Sequence, residues 1–267
     1  MTSRTALFPL FLLAALFLSA AAATAARPQT GFLNRTVVVD REVYGYQVYV
    51  PAEWTKSKKW PVILFLHGAG ERGDDGLQQT QVGIGAAIRK HRDRFPCIVV
   101  LTQCRKNSWW SAPAMEAQAL KALDQSMREF RGDPDRVYLT GLSMGGYGTW
   151  DIAYRYPGRF AAYAPICGGI RMPGKISLPE GSPFAEPGAD PYAMVARKIG
   201  RTPVWIFHGE ADKTVPPSES RKMNEALKAG GGNVKYTEYP GVGHNSWDAA
   251  YAEAEFMPWL LAQRLAR

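Results

Sequence analysis

Three cysteines among 267 residues, Cys97, Cys104 and Cys167, are too few and too odd in number for a disulfide scaffold. Cys97 and Cys104 flank one predicted strand, where extended chain at roughly 3.3 Å per residue holds them apart. At most one bridge is available. No cysteine pair and no His-x-x-x-His spacing marks a metal site, so neither a metal nor a cofactor is expected. There is also no run of five or six like charges, although 32 Lys+Arg stand against 24 Asp+Glu for a net charge of +8. The densest basic patch, Lys56-Ser57-Lys58-Lys59, reads as a solvated loop before a strand, and no nucleic-acid partner is expected. No internal repeat or Pro/Ser-rich linker divides the chain, and after residue 26 no apolar run is long enough to span a bilayer.

What remains is a globular composition: 46% hydrophobic, 12% aromatic and 21% charged residues. Residues 1–26 stand apart. A single cation, Arg4, precedes an apolar run from Ala6 to Ala22 broken only by Pro9 and Ser19, and then comes Ala23-Thr24-Ala25-Ala26. That pattern predicts a secretory signal peptide cleaved after Ala25 or Ala26. No cysteine follows to carry a lipid. The mature chain, 27–267, is therefore expected to be one soluble domain, secreted or periplasmic, with no stable membrane insertion after cleavage.

Thr36–Val39 and Tyr44–Val50 are β-branched and aromatic runs separated by Asp40-Arg41-Glu42, and they predict an antiparallel pair. Val62–Leu66 is continuously apolar, as in a strand buried on both faces of a parallel sheet. Similar runs recur at Cys97–Leu101, Val137–Leu139, Tyr163–Cys167 and Val204–Phe207. Helical periodicity fills the intervals, at about Gln81–Arg92, Met115–Phe130, Met144–Tyr156, Tyr192–Ile199 and Ser218–Lys228, with a terminal helix over Trp247–Leu265. Strand alternating with helix predicts an α/β fold with a mostly parallel, doubly wound sheet. The Pro/Gly-rich stretch from Arg171 to Asp190 is expected to be an insertion or flap over one end of that sheet, not a domain boundary.

The sharpest feature is Gly141-Leu142-Ser143-Met144-Gly145-Gly146, which follows a predicted strand directly and opens a helix. A serine on a sharp strand-to-helix turn needs small neighbours, because the backbone is strained and the helix passes close by. Its hydroxyl is a poor nucleophile until a base takes its proton. His244, in the glycine-rich loop Gly241-Val242-Gly243-His244, is placed to be that base. The acid that orients the imidazole should lie between the two, and His208-Gly209-Glu210-Ala211-Asp212 offers Asp212, with Glu210 as the alternative. Two backbone N–H donors are needed for the oxyanion. Met144 supplies one, and the loop His67-Gly68-Ala69-Gly70 supplies the other, from Ala69 or else Gly70. His67 and His208 are expected to be structural, and His91 solvated.

Together Leu66-His67-Gly68-Ala69-Gly70-Glu71-Arg72-Gly73, the Asp135–Gly146 block, His208–Asp212 and Gly243-His244 resemble the α/β-hydrolase superfamily over about Trp60–Leu260. Within it the chain is similar to the bacterial phospholipase/carboxylesterase and dienelactone-hydrolase-like group, including secreted feruloyl esterases, polyhydroxyalkanoate depolymerases and predicted peptidases. The resemblance implies Ser143 as nucleophile, Asp212 as acid and His244 as base. Dienelactone hydrolases carry a cysteine where this chain has Ser143, which argues against a dienelactone substrate. The strand order usual in the superfamily implies that Cys104 and Cys167 sit roughly 14 Å apart as free thiols.

Trp109 and Trp110 follow the strand Cys97–Leu101, and Trp247 follows the base. In a doubly wound sheet such loops frame the ligand crevice, so these three are candidates to line an acyl site. The expected activity is hydrolysis of a small-molecule or polymer-linked carboxylic ester through an acyl-enzyme. Two other readings remain: a peptidase with the same three residues, and a carbohydrate-binding module without turnover.

Overall fold

A computed structural model describes residues 29–171, 184 and 190–265. The expected leader and most of the expected flap lie outside the described residues. Eight strands form one sheet: β1 (Gly31–Val39), β2 (Glu42–Val50), β3 (Trp60–Leu66), β4 (Ile98–Thr102), β5 (Gly132–Leu142), β6 (Ala162–Ile166), β7 (Val204–Gly209) and β8 (Val234–Tyr239). Their order is β1-β2-β4-β3-β5-β6-β7-β8. The N-terminal hairpin pairs antiparallel and joins the rest through an antiparallel β2–β4 contact, and every pair from β4 to β8 is parallel. The expected mostly parallel sheet with an antiparallel pair at its N-terminal edge is what the chain forms.

A strand's alternating side chains divide the interior in two. Val62, Leu64 and Leu66 of β3 face one core, with side chains of α2 (Pro113–Glu129), α3 (Met144–Arg155), α4 (Pro191–Ile199) and α5 (Ser218–Ala229). Ile63 and Phe65 face the other, with α1 (Ile84–Lys90), α6 (Trp247–Ala252) and α7 (Phe256–Ala262). Both faces of β3 are closed to water, which is why its sequence is apolar without alternation.

Three boundaries depart from the pattern reading. The single terminal helix expected over Trp247–Leu265 is two short ones, α6 and α7. Pro258, third in α7, lacks the N–H that a continuous helix would use and would crowd the carbonyl four residues earlier, so the chain restarts around it. Strand β5 begins at Gly132, earlier than its apolar run, because Trp60 pairs with Gly132 before the register shifts to Val62 with Val137. Helix α1 begins only after Gly83, whose φ of 61° no helix continues through.

All three cysteines are free and buried. Two strands, β3 and β5, separate β4 from β6, so the chain segments carrying Cys104 and Cys167 are held apart. Burial pushes both thiols up to about 12.

Candidate active site

The sheet order puts the carboxyl ends of β5, β6, β7 and β8 side by side, and three functional groups leave from them. Ser143 follows β5 and caps α3 with φ 52° and ψ −116°, a conformation that non-glycine residues rarely hold. What keeps it there is the closeness of the helix behind it. A Cβ on Gly145 would lie 1.9 Å from the carbonyl oxygen of Leu66, and one on Gly141 would lie 2.2 Å from that of Gly145. The Ser143 N–H is itself bonded to the Ile166 carbonyl at 2.9 Å.

His244 sits in the loop between β8 and α6, with Nε2 2.8 Å from Ser143 Oγ and Nδ1 2.7 Å from Asp212 Oδ2. A carboxylate only accepts, so Nδ1–H donates to Asp212 and the Nε2 lone pair faces the serine hydroxyl. Asp212 is fixed independently of His244. Its Oδ1 accepts the N–H groups of Thr214 (2.8 Å) and Val215 (3.0 Å), and its Oδ2 also accepts from His208 Nε2 at 3.1 Å. Burial alone would raise the Asp212 carboxyl; the bonds from His208, His244, Val215 and Thr214 outweigh it and hold the group well below the usual carboxylate range. Glu210, the alternative acid, points elsewhere and accepts the Gly241 N–H at 3.0 Å.

Met144 is the first residue of α3 and Ala69 the first of a 3₁₀ turn, Ala69–Glu71, so neither N–H has an acceptor within its own helix. The turn lies against the serine: a Cβ on Gly68 would be 3.6 Å from Ser143 Cβ. His67 anchors it from below, donating from Nδ1 to the Gly68 carbonyl at 2.5 Å and accepting the Cys104 N–H on Nε2 at 2.9 Å. Burial drives this imidazole down to about 4, which keeps it neutral in the tautomer those two bonds require.

The three tryptophans part company. Trp247 is half-buried and meets the His244 ring edge-to-face at 5.5 Å. Trp109 is half-buried against Tyr147 at 6.4 Å, and Tyr147 donates to the Arg171 carbonyl, where the undescribed stretch begins. Trp110 corrects the expectation: it is fully buried, its indole N–H donates to the His67 carbonyl at 3.0 Å, and it supports the turn from within the core.

Two residues near the mouth escaped the pattern reading. His208, expected to be structural, also reaches Asp212. Glu219, in the first turn of α5, accepts the N–H groups of Ile170 and Arg171 at 2.9 Å each and the Tyr192 hydroxyl at 2.7 Å. Nothing in a solvent-facing amphipathic pattern marks such a residue. Among the described residues no group of acidic, histidine and cysteine side chains is arranged to hold a metal ion.

The sequence profile of the prolyl oligopeptidase family matches residues 116–263. An uncharacterized secreted protein of Arthroderma benhamiae is 27% identical over 219 residues, 76% of this chain and 23% of that protein. Poly(3-hydroxyalkanoate) depolymerase C of Paucimonas lemoignei is 32% identical over 140 residues, 48% of this chain and 31% of the depolymerase. The chain thus spans less than a third of either relative's length. Among solved structures, a thermostable esterase superposes with a TM-score of 0.73 at 33% identity, covering 87% of this chain and 63% of the esterase.

Proposed function

The chain belongs to the prolyl oligopeptidase family, with an α/β-hydrolase sheet, and on that premise we propose that it is a secreted serine carboxylic ester hydrolase working through an acyl-enzyme. The observation that carries the reading is the unbroken line Ser143 Oγ, His244 Nε2, His244 Nδ1, Asp212 Oδ2, with links of 2.8 and 2.7 Å. Ser143 Oγ attacks the ester carbonyl carbon while its proton passes to His244 Nε2, giving a tetrahedral oxyanion. The N–H groups of Met144 and Ala69 receive that charge. The intermediate collapses as the carbon–alkoxy oxygen bond breaks and His244 returns the proton to the departing alcohol. Water, deprotonated by His244, then attacks the acyl-serine, and as the carbon–Oγ bond breaks His244 returns that proton to Ser143 Oγ, releasing the acid and free Ser143. Asp212 remains ionised throughout and stabilises the imidazolium.

Export rests on the leader composition and agrees with the secreted description of the Arthroderma relative. Trp109 and Trp247, the half-buried two of the three candidate tryptophans, are the aromatic walls available to an acyl group. A polymer-linked or small extracellular ester fits export and the depolymerase and esterase likeness. The family's name gives peptide bonds a place as a second reading, in which the same steps end on an amine that needs fuller protonation to leave.

Short- and medium-chain nitrophenyl esters, methyl ferulate and aminoacyl nitroanilides, assayed on wild type and Ser143→Ala, test both. Ester hydrolysis that falls by about 10⁶-fold in Ser143→Ala is the expected result. Faster turnover of the anilides replaces the ester reading with the peptidase one. Equal activity in the two proteins removes Ser143 as nucleophile.

A further inference from the structure

The acid of the site is shared by two imidazoles. Asp212 Oδ2 lies 2.7 Å from His244 Nδ1 and 3.1 Å from His208 Nε2, while Oδ1 takes two backbone N–H groups. The four donors fill the carboxylate, two to each oxygen, and leave it one orientation.

The protonation of His208 follows from its surroundings. Its Nε2 faces only acceptors, Asp212 Oδ2 and the Val215 carbonyl at 3.0 Å, so Nε2 carries a hydrogen. Its Nδ1 faces the Ser220 hydroxyl at 2.7 Å, a group able to donate. The neutral Nε2–H tautomer satisfies every contact, and the ring is fully buried, where a second charge would be costly.

From this geometry we infer that His208 is a positioning residue of the reaction: by donating to Asp212 Oδ2 it holds the carboxylate in line with His244 and shares the negative charge that Asp212 presents to the imidazolium formed during turnover. The inference rests on the triad reading above. Its physical content is competition. An oxygen that accepts two N–H groups gives less negative charge to each than an oxygen that accepts one. Removing the His208 donor therefore leaves the His244 imidazolium paired to a more negative oxygen. The other titratable groups in the neighbourhood do not take over this role. Glu238, the register partner of His208 on β8, is engaged by Arg221 at 2.9 Å and by Tyr236. Tyr147 on α3 and Cys167 after β6 are pushed up by burial and stay neutral at working pH.

The test is the acid limb of kcat/KM for a nitrophenyl ester in wild type, His208→Phe and His208→Gln, with Ser143→Ala alongside. His208→Phe is expected to move that limb up by about half a pH unit to one unit, and to lower kcat about tenfold with KM unchanged. His208→Gln keeps an N–H donor toward Asp212 and is expected to restore the wild-type limb. Imidazole nitrogen shifts of ¹⁵N-histidine-labelled wild type give a second reading that needs no variant to fold. They are expected to show His208 as the Nε2–H tautomer. A limb that stays put in His208→Phe, a limb that shifts equally in Phe and Gln, or a His208 found as the Nδ1–H tautomer overturns the inference while leaving a Ser143-dependent activity intact. Activity that survives in Ser143→Ala overturns the triad reading and this inference with it.

Discussion

At Gly145 an added methyl has nowhere to go, since it would lie 1.9 Å from a main-chain oxygen of β3, and backbone cannot swing aside as the end of a flexible side chain can. Gly145→Ala is expected to push α3 off the sheet and carry Ser143 with it. Its ester hydrolysis should drop by at least about 100-fold, because an ångström of misplacement at the nucleophile already costs that much. A melting temperature measured in parallel separates displacement from unfolding; a variant with wild-type kcat would show that the contact is not binding on the turn. At this scale the site was unusually legible. Ser143 was readable because it lies between Gly141 and Gly145 at the end of the apolar part of β5, Asp212 because it closely follows the apolar strand β7, and His244 because it follows Gly243 in a glycine-rich loop. Trp110 was misread for the opposite reason. Its neighbour Trp109 is half-buried and Trp110 fully buried, and adjacent aromatic residues in a loop carry no period to tell which one turns inward.

At the scale of elements, the joint between β6 and α5 depends on one carboxylate. Glu219 receives two backbone N–H groups and a tyrosine hydroxyl, and truncation would leave the donors buried without an acceptor. Glu219→Ala is expected to destabilise the fold by about 3 kcal/mol and Glu219→Gln by less, since the amide oxygen still accepts. Urea unfolding of both variants measures the difference, and equal losses would mean that side-chain volume, not the bonds, matters. The parallel strands β3, β4, β6 and β7 were recoverable because burial on both faces makes them continuous apolar words. The helix pair α6 and α7 was not, because both halves face the same core and share one periodicity; Pro258 was the local mark of the break. Strand order also decides the thiols. With β3 and β5 between their strands, Cys104 and Cys167 stay reduced, so Ellman's reagent should find about three thiols in denatured, unreduced protein and almost none in the native state. One thiol after denaturation would place a disulfide where the sheet forbids it.

For the molecule as a whole, two buried groups set opposing pH dependences. His67 stays neutral in the fold down to about 4, whereas in the unfolded chain it takes up a proton near pH ~6.5. Its contribution is complete above that pH and is lost as pH falls toward 4, at about 1.4 kcal/mol per unit. Asp151 in α3 is 5% exposed, and burial, helped by neighbouring Glu116 and opposed by Arg155, pushes its carboxyl up to about 7. The unfolded chain ionises this group near pH ~3.9, so it destabilises progressively as pH rises from there to about 7. The two slopes have opposite sign over nearly the same window, and wild-type stability should be almost flat between about pH 4.5 and 6.5. Asp151→Asn removes one slope and leaves the other. Its unfolding free energy should climb by roughly 3 kcal/mol from pH 4 to 6.5, and its gain over wild type should be largest near neutrality. Urea titrations at half-unit intervals resolve such a slope. A variant as flat as wild type would show that Asp151 does not hold its proton in the fold, and a wild type that already climbs would show that His67 acts unopposed.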